Sequence, residues 1–352
     1  ASADVQAGEF ADNFSGNNGG FLLVADGATA SITGGNITGN TAQANGGAAY
    51  IAGGELGGGR LSAGGESHWE GNRAEENGGA LVAWGEGNVV ELEGGRFAGN
   101  SARYNGGFLF LEEGASVACE GTVVEGNEAG AQGGAVYARD APGMEWSCSC
   151  DENAALFGGG MYLSHSSASI TNASLAGNVV PRGSVLFLVS TTVTAINTAF
   201  NRSSTGSLDP EATASTALAL QLDATSSFFG QACAFSGWSL APVIFSEGTL
   251  FLSSPDFRGS SSAQLVASSA TANATVRNAV LDSGNYAAAA TEGVGLGENI
   301  AGCGPGACSS WAGSAAAAAE EESDSACIPG VLGVYCPCQA SAVEGAEECL
   351  DG

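Results

Sequence analysis

One phrase recurs through the first half of this chain and limits what it can fold into. From Asn100 it reads N-S-A-R-Y-N-G-G-F-L-F-L: an Asn, four spacers, a second Asn, a Gly pair and a short apolar run. Asn13 leads in the same way to Gly19-Gly20, Asn40 to Gly46-Gly47, Asn72 to Gly78-Gly79, Asn100 to Gly106-Gly107, Asn127 to Gly133-Gly134 and Asn153 to Gly159-Gly160. The pair begins six residues after the Asn every time. Leading Asn residues fall at 13, 40, 72, 100, 127, 153, 178 and 201. A fixed phrase returning every 20 to 50 residues or so marks a solenoid or array. An apolar residue stands three places before most of them: Phe10, Ile37, Trp69, Phe97, Val124 and Leu175. Cys150 takes that place before Asn153, and Asn201 departs from the pattern, with Thr198 there and Phe200 beside it.

Between these phrases lie short β-type runs such as S-I-T (31–33), V-V-E-L (89–92) and V-T-A-I (193–196). No helical periodicity persists, and Gly is too frequent for helices. Strands this short cannot bury a face alone; stacked coil on coil they form parallel sheets around one core. The fold expected is all-β, a parallel β-helix. Gly pairs at corners permit positive φ, and equivalent Asn residues would stand about 4.8 Å apart in columns, bonding amide to amide. Two columns are expected. One is Asn13, Asn40, Asn72, Asn100, Asn127, Asn153 and Asn178; the other is Asn18, Asn45, Asn77 and Asn105, with Gln132 next. The second half keeps the beat less strictly, with core runs at 218–222, 242–245 and 264–267. About eleven coils over residues 1–286 would make a rod of roughly 50 Å. Residues 287–352 read as an Ala/Glu spacer and a Cys-rich module.

Charge narrows the partners. Nine basic residues face 37 acidic ones for a net −28, and all nine are Arg. That excludes nucleic acid and anionic membrane surfaces, which need clustered cations. Ten Cys, with Cys303, Cys308, Cys327, Cys336, Cys338 and Cys349 in the last fifty residues, point to an oxidising compartment and a disulfide framework. Cys119 and Cys148, on adjacent coils, form the best pair in the repeat region. Sequons at Asn13, Asn36, Asn172, Asn201 and Asn273 fit secretion and possible N-glycosylation. No run approaches the length of a transmembrane helix. The chain opens on Ala1 and enters the repeat at once, which reads as a processed or truncated piece of a longer protein.

The first element of the phrase reads F-A-D-N (10–13), I-T-G-N (37–40), W-E-G-N (69–72), F-A-G-N (97–100) and V-E-G-N (124–127). The second reads G-G-F-L, G-G-A-A, G-G-A-L, G-G-F-L and G-G-A-V. Paired in this way they resemble the repeats of the chlamydial polymorphic membrane proteins and of large secreted proteins of algae and protists. The resemblance covers residues 10–188 well. It implies a right-handed parallel β-helix displayed outside the cell for adhesion or structure. C-I-P-G-V-L-G-V-Y-C-P-C (327–338) resembles an EGF-like phrase. Together these imply an algal or protist surface protein, for example in a flagellar hair (mastigoneme).

Chemistry is sparse in the sequence. Glu70, Glu125 and Asp151 each sit two before a leading Asn, but Ala11, Thr38, Ala98 and Ala176 interrupt the column. His68 and His165 are the only histidines and show no metal-ligand spacing. C-S-C (148–150) is too short for structural zinc, and the calcium-binding nonapeptide is absent. The aromatics of G-G-F-L-F-L and M-Y-L are expected in the core. No catalytic, cofactor or metal site is expected. The function expected is non-catalytic and extracellular: a structural or adhesive subunit partnered by other protein subunits and possibly glycans. The alternative is a polysaccharide-binding or polysaccharide-cleaving β-helix, which would show carboxylates and Arg together in one concave strip.

Overall fold

The computed structural model describes residues 1–54, 57–181, 183–202, 218–238, 243–260, 266–268, 272–280 and 294–296. Three parallel sheets run along the rod, with 16, 10 and 5 strands. Every paired strand bonds to its counterpart one coil away; for example Val89–Ala98 lies between Arg60–Glu70 and Ser116–Glu125. The second sheet has ten strands from Leu22–Ala25 to Val266–Ser268, so the solenoid makes about nine turns, not eleven. Coil length varies in the second half: Phe200 pairs with Phe235, 35 residues on, but Ser227 with Thr249, only 22 on. The final strand of the long sheet, Val294–Leu296, pairs with Asn273–Arg277. The EGF-like stretch and the six cysteines from Cys303 onward lie outside the described residues.

The apolar residue three before each Asn builds the core. Ile37, Trp69, Phe97, Val124 and Cys150 are successive register partners, and each is fully buried. Leu175, Phe200 and Phe235 form a matching row in later coils. Neighbouring rings overlap, Trp69 on Phe97 at 5.4 Å and Phe200 on Phe235 at 5.0 Å. Burying a side chain of this size contributes about 2–3 kcal/mol.

Not all the strand aromatics enter this core. Phe108 does, but Phe110 turns to the opposite face of the second sheet and joins Tyr50, Val82 and Tyr137 in a separate cluster. There Phe110, Tyr137, Tyr162 and Phe187 stack in sequence at 5.0, 5.5 and 5.3 Å. Within the strand Leu109–Glu112 alternation sends Leu109 and Leu111 inward and Phe110 outward, whereas Phe108 precedes the strand and escapes that alternation.

The long strands of the first sheet bend at glycines. Gly65, Gly94 and Gly95 all have positive φ, and the register slips between Gly94 and Arg96. An extra residue at such a bulge kinks the sheet. The kink makes its outer face concave.

Candidate functional site

The repeated Asn residues are the most intensively bonded groups among the described residues. Asn100 Oδ1 accepts from both the backbone N–H and the Nδ2 of Asn72, at 3.0 and 2.9 Å. Asn100 Nδ2 donates to Asn127 Oδ1 at 2.9 Å and to the carbonyl of Trp69 at 3.0 Å. The amide is thereby satisfied on all four valences, which a fully buried position requires. The same rung recurs from Asn13 through Asn40, Asn72, Asn127 and Asn153 to Asn178. From Asn40 onward each Nδ2 also reaches the carbonyl of the core residue one coil back, as Asn178 does to Cys150.

The second column runs in the opposite sense. Asn45 donates its N–H and Nδ2 back to Asn18 Oδ1, Asn77 to Asn45, and Asn105 Nδ2 to Asn77. Gln132 follows at the next coil, where it bridges to Asn105.

Asn201, which already departs from the phrase in sequence, is not a rung: it pairs with Ala176 and Ser236, because Phe200 rather than Thr198 fills the core place. Sequence reasoning missed two features here. The rung chemistry instead continues in other residue types. Trp238 Nε1 donates to the carbonyl of Phe200, and Ser260 Oγ accepts from the Trp238 N–H while bonding the carbonyl of Phe235. A third ladder, of hydroxyls, stands at another corner: Ser166 Oγ accepts from Ala141, Thr191 from Ser166, and Ser226 from Thr191. Its only sequence signal is a Ser or Thr one or two residues before the strands at 167, 192 and 227.

The two glycines of each pair do different work. Gly46, Gly78, Gly106 and Gly133 have φ between +65° and +67°, the left-handed region. A Cβ on Gly47, Gly79, Gly107 or Gly134 would lie 2.1–2.2 Å from a carbonyl oxygen of the next coil. The second glycine therefore sets how closely coils approach.

On the outer face of the first sheet the bend forms a cleft of about 500 Å³, lined by Gly65, Glu66, Ser67, His68, Gly95 and Arg96. Arg96 is clamped by two carboxylates, Nε to Glu125 at 2.8 Å and Nη1 to Glu70 at 3.5 Å. The structure thus brings Glu70 and Glu125 together through Arg96. Asp151 is the register partner of Glu125 one coil on, but it is bonded on its other side, accepting from Ser174 Oγ and the Ala176 N–H. His165 is not near His68 in the fold; it hydrogen-bonds Ser164 at 2.9 Å.

Cys119 and Cys148 form a disulfide between adjacent coils. Cys150 and Cys233 are free and buried. Burial, reinforced by Asp151, raises the Cys150 thiol well above its usual range. Burial pushes Cys233 up to about 11, so both are poor nucleophiles. Closing a loop of 29 residues restricts the unfolded chain. Replacing Cys119 and Cys148 together by Ala is expected to cost about 3 kcal/mol in urea unfolding.

Of the five sequons, Asn13, Asn36, Asn172 and Asn273 are exposed and Asn201 is partly buried. Asn13 Nδ2 is held at 2.7 Å by Asn40, Asn172 accepts from Asn197, and Asn201 accepts from Ser236. Among the described residues no helix is long and apolar enough to cross a membrane.

No protein-family model, no curated protein and no solved structure matches this chain.

Proposed function

We propose that this chain is a non-catalytic extracellular protein, a structural or adhesive subunit of a surface filament or cell-surface assembly such as a flagellar hair. One observation carries the reading. The residues that repeat most faithfully, the leading Asn and the Gly pairs, are spent on coil-to-coil contacts, so repetition here specifies a stiff spine rather than a reacting centre. The net charge of −28 keeps such a rod soluble and directs assembly toward other protein subunits and glycans. The paired F-x-x-N and G-G-A-type phrases, and the EGF-like spacing at 327–338, support the algal or protist surface setting by resemblance.

A second reading has its own support: the cleft beside Arg96, with Glu66, Glu70 and Glu125 around it, is the concave strip a polysaccharide-binding β-helix would use. Negative-stain electron microscopy with light-scattering mass on native-source material separates the two. Regular filaments or particles of many copies are expected. A strictly monomeric rod that binds a polysaccharide would overturn the structural reading.

A further inference from the structure

Asn36 lies beside the cleft. It is the register partner of His68, which is in turn the partner of Arg96, so the three stand in one outward row on successive coils. At one strand spacing per coil, His68 and Arg96 lie about 5 and 10 Å along the rod from Asn36. Asn36 is exposed and begins the sequon Asn36-Ile37-Thr38. Among the described residues its side-chain amide makes no hydrogen bond, as is also true of Asn273, whereas Asn13 is engaged through Nδ2 and Asn172 and Asn201 through Oδ1.

The cleft has the chemistry of a sugar seat. Its size falls within the range of small-ligand pockets, but its walls are polar. Glycine backbone at Gly65 and Gly95 leaves the floor open, and Arg96 offers donors fixed in place by Glu70 and Glu125. Two carboxylates on the Arg96 guanidinium and a third, Glu66, in the lining make the site unfavourable for an anion. A neutral polyhydroxylated ring matches this mixture of donors and acceptors.

We propose that Asn36 carries an N-linked glycan whose first sugars lie along the row and occupy the cleft over His68 and Arg96. The inference rests on the extracellular reading above. In the modification the Asn36 Nδ2 displaces a lipid diphosphate from the anomeric carbon of a lipid-diphosphate-linked oligosaccharide. The N–C1 bond forms and the C1–O bond to phosphate breaks. The amide proton passes to a base of the transferring enzyme, and the lipid diphosphate departs.

The full chain secreted from a eukaryotic host provides the test, with glycopeptide mass spectrometry and proton NMR of the histidine rings. The chain has only His68 and His165, so the spectrum carries its own control. Most copies are expected to bear sugar at Asn36. Against the Thr38→Ala variant from the same host, which keeps Asn36 but loses the sequon, the His68 ring resonances should shift and those of His165 should not. Thr38 makes no side-chain hydrogen bond among the described residues, so this variant should fold. An empty Asn36 with Asn273 or another sequon filled would overturn the proposal alone. All five sequons empty in that host would overturn it together with the secretory reading. A filled Asn36 with unmoved His68 resonances would refute the seating of the sugar in the cleft.

Discussion

Replacing Gly107 by Ala should destabilise the rod far more than a methyl group added where the Cβ position is open. The new Cβ would lie 2.2 Å from the Gly134 carbonyl oxygen and 2.6 Å from the backbone of Glu128. Both obstacles are main chain held in the coil-to-coil ladder, so neither yields as a side-chain tip would. Overpacking in a well-filled interior costs about 1–3 kcal/mol even where side chains can shift. With backbone as the obstacle the loss expected is about 3 kcal/mol or more. The control is Gly99→Ala. Gly99 has φ +60° but open space around its Cβ position, so only the left-handed conformation is penalised, at about 1 kcal/mol. Urea unfolding of the two variants checks the contrast. Equal losses would mean that φ, not coil spacing, is what these glycines provide.

Removing one rung should cost more still. In Asn100→Ala, the Asn72 N–H, one Asn72 amide hydrogen and the Trp69 carbonyl lose their partner, and Asn127 Oδ1 loses one of its two donors. All sit where water is excluded, Asn72 and Asn127 being fully buried. Each stranded buried group costs about 1–3 kcal/mol, so a loss of about 4 kcal/mol is expected after partial relaxation. Asn13→Ala removes a rung from an exposed position and should cost under about 1 kcal/mol, since water replaces the lost bonds. Asn100→Asp keeps the shape and still accepts from Asn72, but it sets a buried carboxylate against the Trp69 carbonyl and Asn127 Oδ1 with no donor to either. It too should be strongly destabilised although the packing is unchanged.

The coil was legible because its demands are chemically narrow. Only Gly suits both members of the corner pair, and only Asn offers two donors and an acceptor at that reach, so these letters repeat without substitution from Asn40 to Asn127. The apolar residue three before each Asn was legible because a core place accepts any hydrophobe of suitable size. What stayed hidden follows from the same chemistry. An amide sits in a column equally well pointing up or down, so the opposed senses of the Asn40 and Asn45 columns leave no trace in the letters. Trp238 and Ser260 were missed as rungs because a donor alone, or one hydroxyl, does part of the work of Asn in a guise no repeat search expects. The cleft at His68 and Arg96 was invisible because it arises from a bend at Gly65 and Gly95 on two different coils. Residues 28 apart in sequence become neighbours there only once the register is known.

The ladders also determine where this molecule is free to vary. Asn40 and Asn72 are 32 residues apart, whereas Asn72 and Asn100 are 28 apart, yet both phrases keep six residues from Asn to glycine pair. Most of the surplus lies between the strands Ala49–Ala52 and Arg60–Glu70, at a corner that neither amide column crosses, and the rest is the extra residue of the strand Arg60–Glu70 itself. Length there does not enter the pitch. That margin behaves as a hem to which material can be sewn while the cloth keeps its weave. New binding loops could be gained or lost along it without altering the spacing of anything else on the rod.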